Sequence, residues 1–595
     1  MVSKKFRTMR ANTVRAVVAT ALLALLTACR TGSGQDEDAP RAAQEKPFSG
    51  KLVLAHVMPN QTMLRGDYEF RANPYHPKAL NLSASGRKSS RGGWPQAPLG
   101  AACWFRDEAP WEQSDDPERD AAAWEIARAI EGGIDGFVFD YGPGFGRTPT
   151  HVNLPRVNAY FRAAEEFFPD FRMTLCLDEA MFSLANKRWR DLDHILERRR
   201  ETVAQFLDPH ADSPNLLRTE DGRVVFTSYR AINLGRPAEA GETVQERLAQ
   251  QRAVIRHWQW VWKQLEEQTG ESFFFVADLP NAWQYERYQP YRMPTPEDIE
   301  KYAGLWAEAF DGLSVFGAVD TPEQAKTIYP ILAAAAHARG KMFFSPVWPC
   351  YAHSFEKGRI LADNFRVLRE TWALARELDT EAVQLVTWND YGEYTAFAPT
   401  IHLGFVLGEL NRYFGKWYRK GTPPVTSEDA LYLIYRRYPG KPEPTDLPGR
   451  RAFWLEVPED FEVLAMATEP ATIDLPGRGT VTAPTGMSVH SFPLNPGPVR
   501  ALMKRNGTTL AAVEGLVDIL DPEKEKPYRA LYEPYAISSR FETLFKEAFG
   551  RTFAPRADYW VDINENGLAD WIELLSPAPD DRVSAATAAD AVPED

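Results

Sequence analysis

From residue 50 to about 420 the chain alternates between short unbroken apolar runs and longer stretches whose apolar residues recur at helical spacing. The runs are KLVLAHVM (51–58), GIDGFVFDY (133–141), FRMTLCLDE (171–179), RVVFTSY (223–229), SFFFVADLP (272–280), GLSVFGAV (312–319), KMFFSPVWP (341–349) and AVQLVTWND (382–390). Most are apolar throughout, the pattern of strands covered on both faces in a parallel sheet. The stretches 117–133, 243–268, 321–340, 358–378 and 403–421 read as helices between or after them. The third opens on a Thr-Pro cap signal and closes on Gly. Eight strands alternating with helices predict an α/β fold, a (β/α)₈ barrel spanning 50–422. Two connections, 59–116 and roughly 180–222, are long enough on such a barrel to be lids or functional loops.

After GTPPVT (421–426) the pattern changes to short strands punctuated by Gly and Pro, including AFWLEVP, FEVLAMAT, ATIDLP, GTVTAP and MSVHSFPL. This predicts a β-sandwich over 423–535. A tail over 536–595 begins with a short helical piece and ends in a polar stretch of disordered composition. At the other end, residues 1–28 read as a signal peptide, with a basic start and a short apolar run. LLTAC looks like a bacterial lipobox, making Cys29 the lipidated first residue of a mature, membrane-anchored protein; an ordinary secretory signal is the alternative. Residues 29–49 then form a flexible tether, and Arg30 favours the outer membrane.

Composition narrows the function. The net charge is −14, which argues against nucleic acid, since a phosphate backbone rewards clustered Lys and Arg. The chain carries 17 Trp, 22 Tyr and 33 Phe, enough to supply flat apolar faces for sugars beyond what a core needs. Cys103, Cys176 and Cys350 are widely spaced and lack zinc-ligand spacing, so they read as small buried hydrophobes. Oligomeric state leaves no trace in the sequence.

A barrel presents its site at the C-terminal ends of its strands. Reading the run ends gives His56, Asp140, Tyr141, Asp178, Glu179, Tyr229, Asp278, Trp283, Trp348, Tyr351, Trp388, Asn389, Asp390, Tyr391 and Glu393. Acids and amides accept and donate bonds to sugar hydroxyls, and aromatic faces stack on sugar C–H faces. Glycoside cleavage needs two carboxyls flanking the bond. Asp390 and Glu393 stand three residues apart, and three extended residues reach at most about 10 Å, which admits both retaining and inverting separations.

TWNDYGE (387–393) resembles the signature of glycoside hydrolase family 71, the endo-α-1,3-glucanases or mutanases. LVLAHVM and GIDGFVFD look like that family's first two strands, and FPLNPGPVRALMKRNG (492–507) is similar to its C-terminal domain. A Trp-Asn-Glu-x-x-Glu version marks the related family 99 endo-mannosidases; Asp at position 390 favours family 71. The resemblance implies a hydrolase acting inside an α-glucan, with inversion, Glu393 as general acid and Asp390 as general base. It also implies a functional role for Asp135, without any cofactor for catalysis. A non-catalytic glycan-binding lipoprotein and an endo-α-mannosidase are the rival readings.

The tail holds a second motif. DINENGLADWIE (562–573) fits an EF-hand-type loop, with Asp562, Asn564, Asn566, the Leu568 carbonyl, Asp570 and Glu573 as ligands to a structural Ca²⁺.

Overall fold

Eight strands of the first two thirds of the chain close into a parallel barrel in the computed structural model. The structure describes residues 50–59, 114–142, 154–178, 192–231, 243–279, 295–317, 321–352, 359–361, 363–391, 393–400, 402–439, 453–456, 458–524, 534–550 and 552. Glu179, Trp283, Cys29, Cys103 and the calcium-type loop 562–573 lie outside them. The barrel strands are β1 (Leu52–Val57), β2 (Gly136–Tyr141), β3 (Arg172–Asp178), β4 (Val224–Tyr229), β5 (Phe273–Asp278), β6 (Gly312–Ser314) and β7 (Met342–Val347). Two short strands, β8 (Tyr351–Ala352) and β9 (Arg359–Leu361), follow before β10 (Ala382–Leu385) closes the ring against β1 and β7. Around it run α1 (Pro117–Glu131), α2 (Leu154–Phe167), α3 (Leu192–His210), α4 (Val244–Thr269), α5 (Pro296–Ala309), α6 (Pro322–His337), α7 (Arg366–Glu377) and α8 (Val406–Lys420).

Local sequence sets these boundaries. Thr243, Thr295 and Thr321 each accept an N–H from the third residue of α4, α5 and α6, while the side chains of Glu246, Asp298 and Gln324 answer the cap's own N–H. Gly270 and Gly421 end α4 and α8 in the left-handed conformation that glycine adopts without strain. Inside the barrel the two-residue period of the strands divides the side chains. Leu54, Val138, Cys176, Val225, Phe274, Val276 and Phe344 fill the lumen, so it is a packed core and not a pore. Their alternates face the helices. β6 and β10 are shorter than their apolar runs suggest, because the chain leaves the sheet early to build the rim.

The second region comprises β11 (Ala430–Arg436), β12 (Phe453–Glu456), β13 (Asp460–Ala467), β14 (Ala471–Leu475), β15 (Gly479–Ala483), β16 (Gly486–Pro493), β17 (Arg500–Arg505), β18 (Thr508–Glu514), β19 (Pro534–Ser538) and α9 (Phe541–Phe549). Two four-stranded sheets form, in the orders β16-β13-β11-β19 and β15-β14-β17-β18. The strand in AFWLEVP joins neither: β12 pairs with β9 from the loop after β7, in a small sheet that stitches this region to the barrel. Tyr535 and Ile537 of β19 and Phe541 and Phe545 of α9 belong to the core between the sheets, so the sheet region continues past residue 535.

β11 shows how the two regions join. Leu431, Leu433 and Tyr435 point into the core between the sheets, while Tyr432 and Ile434 point into the core shared with the barrel. Glu409 of α8 lies at this joint, 3.4 Å from the Tyr432 hydroxyl that donates to it and 3.8 Å from Arg540. Burial pushes its carboxyl up from 4.5 to about 7, against the opposing pull of Ser538, Arg540 and Tyr432. A carboxyl raised on folding holds an extra proton between these values, so stability falls as pH rises through that window. The full effect is on the order of 3 kcal/mol. Glu409→Gln is therefore expected to raise the denaturant midpoint at pH 8, with the two proteins converging near pH 4; chemical unfolding across that range checks it.

Candidate active site

The rim is built from three strand ends and one loop. Because even-numbered residues of β1, β2 and β3 face the lumen, His56, Asp140 and Asp178 point inward just above the apolar plug. After β10 the chain folds back on itself. The Thr387 N–H donates to the Thr395 carbonyl at 3.0 Å, Phe397 N–H to Thr387 at 2.9 Å, and Ala398 N–H to Trp388 at 2.8 Å. This folded loop carries Asp390 and Glu393. The Asp390 N–H donates to Thr387 Oγ1 at 2.7 Å, and Asp390 Oδ1 accepts the Glu393 N–H at 3.1 Å. Asp390 is buried and Glu393 is partly exposed.

The structure brings Asp140, Asp178, Asp390 and Glu393 together. Burial pushes the Asp140 carboxyl well above the usual carboxylate range, and the charges of Asp178, Asp390 and Glu393 push it further. The Tyr229 hydroxyl is also raised, first by burial and then by Glu393, Asp178 and Asp278, with Arg230 opposing. Beside them, burial lowers the His56 imidazole to about 3, so it is neutral at physiological pH. Phe316 closes the group edge-on, with its ring 5.0 Å from His56 and 4.8 Å from Tyr229. A neutral acid, several ionisable carboxylates, a neutral imidazole and two aromatic rings can donate to, accept from and pack against a polyol.

Other residues expected at the rim have different places. Asp135 is at the opposite end of the barrel, where its Oδ2 accepts the Val53 N–H at 2.8 Å and a bond from the Arg419 guanidinium of α8. It precedes β2 and so cannot reach a site at the strand's far end. Tyr141 follows Asp140 by one residue and therefore faces outward, against Phe206 of α3. Trp348 and Tyr351 are buried in the barrel–helix core, with Trp348 beside Tyr329 of α6. Trp388 and Tyr391 are buried there too, and Trp388 packs on Phe137. Asn389 is spent on the backbone of Met58, accepting its N–H at 2.7 Å and donating to its carbonyl at 3.0 Å. Asp278 accepts the Arg230 N–H at 2.8 Å through one oxygen and the Phe316 N–H at 2.7 Å through the other, which fixes the ends of β4 and β6.

Three contributors were missed from the sequence. Phe316 lies beyond the end of β6. Gln384 sits inside β10, its Nε2 3.4 Å from His56 Nδ1. A polar residue inside an apolar strand was the signal available for Gln384. Glu125 of α1 lies behind the loop. Its carboxylate accepts the Trp388 Nε1–H at 3.2 Å and the Tyr160 hydroxyl.

An eight-stranded parallel barrel with carboxyl groups gathered at its C-terminal mouth is an architecture that glycoside cleavage can use. The chain belongs to glycosyl hydrolase family 71, whose sequence pattern it matches over residues 112–528, and it is a glycosidase. No match is found among curated proteins. Among solved structures it is similar to a glycoside hydrolase-like protein at 13% identity and a TM-score of 0.40, covering 62% of this chain and 94% of that one. It is also similar to a family 99 endo-α-mannosidase from Bacteroides thetaiotaomicron, at 12% identity and a TM-score of 0.39, covering 62% and 97%. A family 1 β-glucosidase from Thermotoga maritima matches at 10% identity and a TM-score of 0.34, covering 63% and 98%.

Glu125→Ala would leave two buried donors, the Trp388 indole and the Tyr160 hydroxyl, without this acceptor. The expected loss is about 2–6 kcal/mol of stability, from roughly 1–3 kcal/mol for each of the two stranded groups. A lowered urea midpoint at unchanged m-value checks it.

Proposed function

We propose that this glycosidase hydrolyses an α-linked glucan, α-1,3-glucan first, at internal bonds and with inversion. Glu393 is the general acid and Asp390 the general base. One observation carries the reading: both acids lie on a single folded loop that meets Asp140 and Asp178 at the barrel mouth, with Glu393 reaching solvent. Glu393, at the open side, donates its proton to the departing glycosidic oxygen. Asp390 is held by the Thr387 hydroxyl through its N–H and by the Glu393 N–H through Oδ1. Its carboxylate takes a proton from the water that attacks the anomeric carbon on the opposite face. Cleavage of the C–O bond leaves a new hydroxyl on each product, and Asp390 releases its proton to solvent as Glu393 regains one. Asp178 and Tyr229 hold hydroxyls of the sugar ring, and Phe316 lies against its apolar face.

The same reading puts a lipid on Cys29, which would keep the enzyme at the cell envelope beside its polymer, and a Ca²⁺ in the 562–573 loop as a structural staple.

Asp390→Asn and Glu393→Gln are each expected to lower kcat by about 10²–10⁴-fold on α-1,3-glucan while leaving the thermal midpoint within a few degrees of wild type. Reducing-end release and the first anomer seen by NMR check this; an inverting enzyme releases the β-anomer from an α-linkage. Retention on the glucan without new reducing ends would identify a binder instead. Cleavage of an α-mannan in place of the glucan would reassign the substrate.

A further inference from the structure

Beneath the carboxylate cluster, three different donor groups converge from adjacent strands. His56 of β1, Asp140 of β2 and Cys176 of β3 all face the lumen, and Asp140 and Cys176 are register partners. One ligand atom from each lies within 4.8 Å of the other two, and His56 Nε2 stands 3.7 Å from Asp140 Oδ1. All three residues are at least nine-tenths buried. Asp140 Oδ1 has no hydrogen-bond partner among the described residues, an arrangement that costs free energy at a buried position unless something else approaches it.

We propose that His56, Asp140 and Cys176 form a binding site for one divalent metal ion of the zinc class at the floor of the acidic pocket. Three features of the donor set select that class. Nitrogen and oxygen ligands at about 2.0–2.2 Å around a tetrahedral ion stand roughly 3.3–3.6 Å apart, so the His56–Asp140 pair at 3.7 Å needs a small closure and the thiol a larger one. Thiolate and imidazole favour zinc-like ions over calcium and magnesium, which take oxygen ligands. The charges also balance: a divalent ion with one thiolate, one carboxylate and one neutral imidazole is neutral overall, which suits a buried position. Binding releases the thiol proton, and the carboxyl proton if present, to solvent. Gln384 supplies the outer support, its amide 3.4 Å from the far ring nitrogen of His56. The three donors leave the fourth position to water. This inference does not depend on which glycan is cleaved, and no step of the hydrolysis runs through the ion.

The test uses the full chain, stripped with a chelator and dialysed, in a background of Ca²⁺ that occupies oxygen-rich sites. Titration with Zn²⁺ followed by calorimetry is expected to show one equivalent bound and a raised thermal midpoint. Titration with Co²⁺ is expected to give a sulfur-to-metal charge-transfer band and the intense visible bands of tetrahedral cobalt. Cys176→Ser should abolish the charge-transfer band and weaken Zn²⁺ binding by about tenfold or more. Cys350→Ser, whose thiol donates to the Tyr394 carbonyl instead, should change neither. Absence of the band in the wild type overturns the proposal with no variant needed. A band that survives in Cys176→Ser overturns it as well, by placing the thiolate elsewhere.

Discussion

The fold-back of the chain after β10, tied to the end of β1, is the constraint on which the site rests. Trp388 donates its N–H to the His56 carbonyl at 2.6 Å, and the Asn389 amide holds both backbone groups of Met58. A loop tied only to itself could swing as a unit. These bonds instead reference it to the neighbouring barrel strand, so the position of Asp390 relative to Asp140 is inherited from the register between β10, β1 and β2. The indole of Trp388 adds a second anchor, on Glu125 of α1. Rigid placement of this kind matters for glycoside cleavage, where a misplacement of about 1 Å can cost two orders of magnitude in rate.

The same constraint explains why so many residues of the WNDYGE segment do not face the pocket. Trp388, Asn389 and Tyr391 are spent on holding the loop, which leaves Asp390 and Glu393 as its two acids at the mouth. A short motif can be highly specific in sequence while only a fraction of it meets ligand, because the remainder encodes a backbone path. Asp278 makes the same point on the other side of the barrel. It ends an apolar strand as a binding residue would, yet both of its oxygens accept backbone amides. Its carboxylate is a clamp across β4, β5 and β6.

The barrel was legible in the sequence because its signal is repeated. Eight apolar runs with helical periodicity between or after most of them leave few alternative topologies. The rim residues at His56, Asp140 and Asp178 were legible for a related reason: a polar side chain at the end of a run buried on both faces needs a purpose. Side-chain direction was the harder quantity. Asp140 and Tyr141 are neighbours at one strand end, and the period of two sends one inward and the other onto α3. Asp135 shared a run with Asp140, but it precedes β2 while Asp140 stands near that strand's far end. Glu125 and the β9–β12 pairing were out of reach, since each depends on contacts between segments far apart in sequence with no local pattern to announce them. Cys176 illustrates a subtler limit. Its reading as a buried hydrophobe is correct about burial and silent about the company it keeps, which only the barrel's register supplies.

That register also bears on how a barrel can keep acids so close together. Carboxylates gathered in a partly buried mouth repel one another, and each must lose part of its hydration. The lumen answers this unevenly. Asp278 receives two backbone N–H groups, and Asp390 receives one on its carboxylate. Burial, and then the charges of Asp178, Asp390 and Glu393, push the Asp140 carboxyl up. A proton on Asp140, or in its place the divalent ion proposed above, relieves the repulsion beneath Asp390 and Glu393.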